Sequence, residues 1–186
     1  MDYFCYLILR MFGWSFFGDK LKVEKCVLVA APHTTNWDFP LMLLFGRLLQ
    51  LKYFWLGKHT LFGGFMGPMM RSLGGIPVDR AKKNDYVFSL SEEIRKQAKC
   101  ILIIPPEGTR SYTNYWKTGF IQIAKSASIP IILAKLDYSK KSLEFSVPIH
   151  SGLSRAQIMQ KAREFYKGVV PLRPKNFGPV QLKSEA

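Results

Sequence analysis

The stretch CVLVAAPHTTNWDFP, residues 26–40, runs from an unbroken apolar block through a polar cluster into a second greasy run. The block Val23–Ala31, with its β-branched residues and its stop at Pro32, reads as a strand covered on both faces. The second run reads as a helix over Phe39–Lys52. Pro40 suits a first turn, where a missing N–H is no loss, and the apolar positions then fall nearly all round, as in a buried or lipid-facing helix. A histidine, two threonines, an asparagine and an acid are thus placed at a strand-to-helix junction.

Working outward, the same alternation recurs. Tyr53–Gly57 reads as a short strand, Leu61–Met70 as a glycine-broken loop and helix, and Ile76–Val78 as a short extended piece. Asn84–Ala98 has the pattern of an amphipathic helix, and CILII, residues 100–104, that of a second buried strand. Gly119–Ala127 reads as helix, Ile129–Lys135 as a third buried strand and Ser142–Ile149 as a more exposed one. Ser154–Lys167 closes the series as a helix whose first residues, Ser154 and Gln157, have capping-box spacing. Strands and helices in alternation, with continuously apolar strands, predict a single α/β domain built on a largely parallel or mixed sheet covered by helices. In such sheets ligands gather beyond the carboxyl ends of the strands. The polar clusters PHTTNWD and PPEGTRS follow the first and second buried strands, so both are expected on one edge.

With 186 residues, 48% of them hydrophobic, the chain can bury one good core. The expected organisation is an interfacial N-terminal segment over residues 1–20, the main domain over 21–170 and a loosely held basic tail over 171–186. The N-terminal stretch MDYFCYLILRMFGWSFFG opens with an acid, lacks a small-x-small cleavage site and is interrupted by Arg10, so it does not read as a signal peptide. It is also shorter than the roughly 20 apolar residues that span a bilayer. A helix lying in the membrane interface, or capping the domain's own core, is the expectation.

The formal charge of +14 predicts an anionic partner. Because this charge accompanies 14% aromatic residues and several apolar runs, a membrane surface fits better than a nucleic-acid groove. No nucleic-acid-binding signature is present. Cys5, Cys26 and Cys100 are odd in number and far apart, which indicates neither a disulfide framework nor a zinc site and suits a reducing compartment.

On one continuous helix His33 and Asp38 would be separated by about 140° and would not meet. With His33 in the loop and Asp38 at the start of the next helix, the acid can turn back and accept the Nδ1–H of the imidazole. Nε2 then faces outward as an acceptor, as a general base for a hydroxyl requires. No GxSxG motif supplies a nucleophile and Cys26 lies inside a strand, so the nucleophile is expected to be the substrate's own hydroxyl. Two further clusters, GGIPVDR (residues 74–80) and PPEGTRS (residues 105–111), each set an arginine beside turn-forming residues, where a guanidinium can pair with phosphate oxygens. Gly108 beside Thr109 and Arg110 lets backbone N–H groups approach an anion.

The ordered set HxxxxD, GxIPVDR and PEGTRS resembles the signature blocks of the glycerol-phosphate and lysophospholipid acyltransferase family, over roughly Val27–Leu133. The resemblance implies a glycerol-3-phosphate acyltransferase-like fold, with His33 as general base and Asp38 as its partner. It implies that Arg80, Glu107, Gly108, Thr109 and Arg110 bind the acceptor's glycerol phosphate. Lys58, in GKHTLF, and Lys117, in WKTGF, fall where the family has lysine-containing blocks. Pro32, Thr35 and Pro105 depart from the family's usual residues, as do His59 and Thr60; none of these changes removes a catalytic group. The implied reaction moves a fatty acyl group from an acyl thioester, acyl-CoA or an acidic acyl carrier protein, to a lysophospholipid such as 1-acylglycerol-3-phosphate. It requires no cofactor or metal beyond that co-substrate, and the expected location is peripheral, on the cytoplasmic face of a membrane. Backbone N–H groups near EGTR or just after His33 are candidates for holding the oxyanion. Another lysolipid acceptor, for example an amino-acid lipid, and a non-enzymatic basic protein that binds membrane or nucleic acid remain the alternatives.

Overall fold

In the computed structural model, residues 2–78 and 83–185 are described, apart from the side chains at 83–86 and 185. In chain order the elements are α1 (Tyr3–Met11), β1 (Ser15–Phe17), β2 (Lys25–Ala31), α2 (Asp38–Leu48), β3 (Tyr53–Lys58), α3 (Met66–Ser72) and β4 (Gly75–Val78). There follow α4 (Lys83–Lys96), β5 (Cys100–Ile104), α5 (Gly119–Ala127), β6 (Ile131–Asp137), β7 (Ser142–Phe145) and α6 (Arg155–Tyr166). Among the described residues the strands form one sheet in the order β1-β7-β6-β2-β5-β3-β4. All neighbours are parallel except β6 and β7. The expected α/β domain with a mostly parallel, mixed sheet is therefore the architecture observed.

The strand β2 lies at the centre because it is apolar on both faces. Val27 and Val29 face one core with Leu102, Phe120 and Ile158, while Cys26 and Leu28 face the other with Leu9, Phe45 and Ile103. Successive side chains of a strand point to opposite faces, so an uninterrupted apolar run is what a doubly covered strand needs. The first core is closed by residues of α4, α5 and α6 and the second by residues of α1, α2 and α3. Because β2, β5, β3 and β4 run parallel, their carboxyl ends open on one edge.

Three expectations need correction. The N-terminal segment is not one interfacial helix to Phe17: α1 ends at Met11, Gly13 takes a left-handed φ of 77°, and Ser15–Phe17 adds an edge strand beside β7. The second helix ends at Leu48 rather than Lys52, since Gln50 turns left-handed at φ 55°. The basic tail is not loosely held, because Leu182 is fully buried and bridges to Trp116, whose N–H donates to Gln181 O at 2.8 Å. Leu182 supplies the apolar anchor that a basic tail otherwise lacks. The final helix keeps its expected start, with the reciprocal Ser154 and Gln157 capping bonds both present.

Candidate active site

The chain leaves β2 at Ala31, and α2 begins at Asp38, so His33 lies on the carboxyl edge of the central strand. Asp38 is in the first turn of α2, where the positive end of the helix favours a carboxylate, and it is only 8% exposed. Its Oδ2 accepts the backbone N–H groups of Thr34 at 2.9 Å and Thr35 at 3.1 Å and lies 3.1 Å from His33 Nδ1. The N–H groups just after His33 are thereby spent on Asp38, which removes them as oxyanion candidates. Its Oδ1 accepts the Tyr138 hydroxyl at 2.6 Å. A carboxylate facing Nδ1 can only accept, so the neutral ring carries its proton on that nitrogen and leaves the Nε2 lone pair free. The His33 side chain is 20% exposed, open enough for a small group to approach.

The turn after β5 packs under this loop. Glu107 is 2% exposed, and its Oε1 accepts the His33 backbone N–H at 3.0 Å. Its Oε2 is sealed from solvent and has no hydrogen-bond partner among the described residues. Burial is the main reason the carboxyl is pushed up to about 7; the nearby Asp38 charge acts in the same direction, while hydrogen bonds and His33 oppose it. The expectation that Glu107 touches the acceptor's phosphate does not fit this placement: the carboxyl is turned inward, where it holds the peptide of His33. Gly108, at φ 66°, turns the chain back with its N–H on Pro105 O at 3.2 Å, a conformation costly for any residue with a Cβ. Thr109 and Arg110 then emerge exposed.

Lys117 joins the same turn, its N–H donating to Pro106 O at 2.8 Å and its stem lying beside Gly108. Lys58 is exposed at the carboxyl end of β3, on the same sheet edge, two strands from His33. Arg80 follows β4 but lies outside the described residues. The structure thus bonds His33, Asp38 and Glu107 directly, places Gly108, Thr109, Arg110 and Lys117 around one turn, and leaves Lys58 further along the edge. Reading the sequence missed Tyr138, which follows β6. The rule that places ligands beyond strand ends, applied to the third buried strand, points to that position. Cys26 is no competing nucleophile: it is completely buried, and burial pushes its thiol up to about 12.

The fold is thus a mostly parallel α/β sheet with a histidine and carboxylate paired at the carboxyl edge of its central strand, a site able to take a proton from a hydroxyl. The chain belongs to the Acyltransferase family, whose model matches residues 16–133. It is 27% identical over 124 residues to the 1-acyl-sn-glycerol-3-phosphate acyltransferase of Saccharomyces cerevisiae, a match covering 62% of this chain and 40% of the yeast protein. The chain thus spans well under two thirds of that relative. The crystal structure of the 1-acyl-sn-glycerophosphate (LPA) acyltransferase from Thermotoga maritima has the same fold, with a TM-score of 0.60 at 18% identity over 88% of this chain and 73% of that one.

Proposed function

We propose that this acyltransferase moves a fatty acyl group from an acyl thioester to the hydroxyl of a lysophospholipid acceptor of the 1-acylglycerol-3-phosphate type, with His33 as general base. The observation that carries the reading is the 3.1 Å approach of His33 Nδ1 to a buried Asp38 that is itself held by three further donors. Nε2 removes the proton from the acceptor hydroxyl as the oxygen attacks the thioester carbonyl. The tetrahedral intermediate then expels the thiolate, which recovers the proton from the imidazolium. Asp38 stabilises that imidazolium and holds the ring in place. No acyl-enzyme is formed. Arg110 and Thr109, exposed beside Gly108, receive the acceptor's phosphate; Lys58 serves the same anion from the end of β3, Arg80 keeps the phosphate role that the resemblance implies, and Glu107 positions the His33 loop.

The protein works as a peripheral membrane enzyme. No helix among the described residues is long and apolar enough to cross a membrane. The elements closing the second core nevertheless expose large apolar side chains: Phe4, Leu7 and Met11 on α1 with Phe12 just after it, and Phe65, Met66 and Met69 at α3. An acyl chain and a lipid surface are natural partners for them.

The test is steady-state kinetics with an acyl thioester and 1-acylglycerol-3-phosphate. His33→Ala should lower kcat by roughly 10²–10⁴-fold with an unchanged melting curve. Arg110→Ala should chiefly raise the acceptor KM, by about tenfold. A His33→Ala variant that turns over at the wild-type rate would overturn the assignment.

A further inference from the structure

A cleft of about 530 Å³ opens beside the turn that carries Glu107 and Gly108, lined by Lys117, Arg155 and Lys183 together with Thr113, Tyr115 and Thr118. Among the described residues its wall has no acid, and none of its three cations forms an ion pair. In a chain with +14 formal charge, three cations lining one hollow without an ion pair among the described residues favour an anion to fill it. The cleft is also a built feature. Leu182 is buried completely, Trp116 N–H donates to Gln181 O at 2.8 Å, and Gln181 Nε2 donates to Asn114 O at 3.2 Å. These contacts staple the tail against residues 113–118 and fix Lys183 beside Lys117. Gly178 permits the close pass, since a Cβ there would stand 1.9 Å from Thr113 O. Arg155 opens α6 and Thr118 precedes α5, its side chain making no capping bond, so two helix N-termini border the hollow.

Resting on the acyl-transfer reading above, we propose that this cleft holds the 3′-phospho-ADP portion of an acyl-CoA donor. That group carries three phosphoryl groups, matching the three cations, and a concavity of this size suits a nucleotide. The single phosphodiester of a carrier protein's prosthetic arm uses less of it. Lys117 belongs to both the cleft and the turn under His33, so a thioester arm leaving the cleft along this residue heads toward the base.

The test uses the full chain and two charge reversals, Arg155→Glu and Lys183→Glu, both at exposed positions. A glutamate in the first turn of α6 suits the helix dipole, so the fold is preserved, and Arg155→Gln serves as a second variant. Calorimetry with adenosine 3′,5′-bisphosphate should show binding to the wild type that weakens about tenfold with each reversal. In turnover, the KM for acyl-CoA should rise likewise, while the rate with an acyl N-acetylcysteamine thioester, which has no phosphate, and the acceptor KM stay unchanged. Wild-type-like nucleotide binding by the double variant overturns the proposal. So does a KM increase seen with an acyl carrier protein and not with acyl-CoA. A wild type that binds the nucleotide but transfers no acyl group defeats the acyl-transfer reading and leaves the cleft assignment standing.

Discussion

The hydroxyl of Tyr138 donates to Asp38 Oδ1 across 2.6 Å, joining the end of β6 to the start of α2. Asp38 Oδ2 already serves His33 Nδ1 and two amides, so Tyr138 satisfies the remaining oxygen and fixes the carboxylate plane. Its own ionisation is pushed up, by burial first and then by the bond to Asp38, so the phenol stays a donor. Replacing it by phenylalanine keeps the ring against Trp14, whose centroid is 5.0 Å away, and deletes only the donor. Tyr138→Phe should lower kcat by about three- to tenfold with little change in either KM, and stability by about 1–2 kcal/mol. In a His33→Ala background the same change should leave the residual rate alone, since it acts through the imidazole. Equal losses in both backgrounds would make Tyr138 a structural residue only.

Glu107 gives a pH signature. Its carboxyl is raised from the ordinary 4.5 to about 7, chiefly by burial, so the folded chain holds this proton more tightly than the unfolded one. Folding is therefore helped at acid pH and loses stability as pH climbs from 4.5 through about 7, after which the loss is complete. Glutamine cannot ionise, yet its carbonyl can still accept the His33 N–H. Glu107→Gln should consequently gain on the wild type across this window, by up to about 3 kcal/mol, in denaturant titrations at a series of pH values. The acceptor KM should not move, because the group touches the loop and not the phosphate. A constant stability difference from pH 4.5 to 8 would show that Glu107 is ionised throughout.

How much of this was legible in the sequence depended on whether the signal was local. β2 and β5 were legible because burial on both faces leaves an unbroken apolar run, and the His33 and Asp38 pair because a loop and a helix start bring them together within one turn. β1 was not: three residues on a sheet edge have no period of their own, and their pairing is supplied by β7, at Ser142–Glu144. Tyr138 was missed for a similar reason, since its partner is 100 residues away in the chain. Glu107 was recognised in its motif, but its bond to the His33 peptide was not foreseen. A carboxylate in a turn reads as exposed until packing shows the turn pressed beneath another loop. The tail was misjudged from its basic composition, which conceals the single apolar residue, Leu182, that anchors it.

Membrane docking by the α1 side rests on Phe4 and Phe12, which are 70% and 60% exposed while Leu9, in the same N-terminal segment, is buried in the second core. Fully burying a phenylalanine side chain is worth about 1.5–3 kcal/mol, and each basic residue at an anionic surface adds about 1 kcal/mol. Arg10 on α1 and Arg71 on α3 are exposed on the same layer of helices. The apolar contribution is thus the larger, and salt alone should loosen the protein from vesicles without releasing it. Phe4→Glu combined with Phe12→Glu removes both insertions and adds two repulsive charges without opening a cavity. The double variant should stay at the bottom of a flotation gradient with anionic vesicles that carry the wild type upward, at an unchanged melting temperature. Its rate with a water-soluble, short-chain acceptor should match the wild type, while its rate with acceptor embedded in vesicles should fall more than tenfold. Flotation equal to that of the wild type would mean that α1 shields the core and that lipid is met through another face.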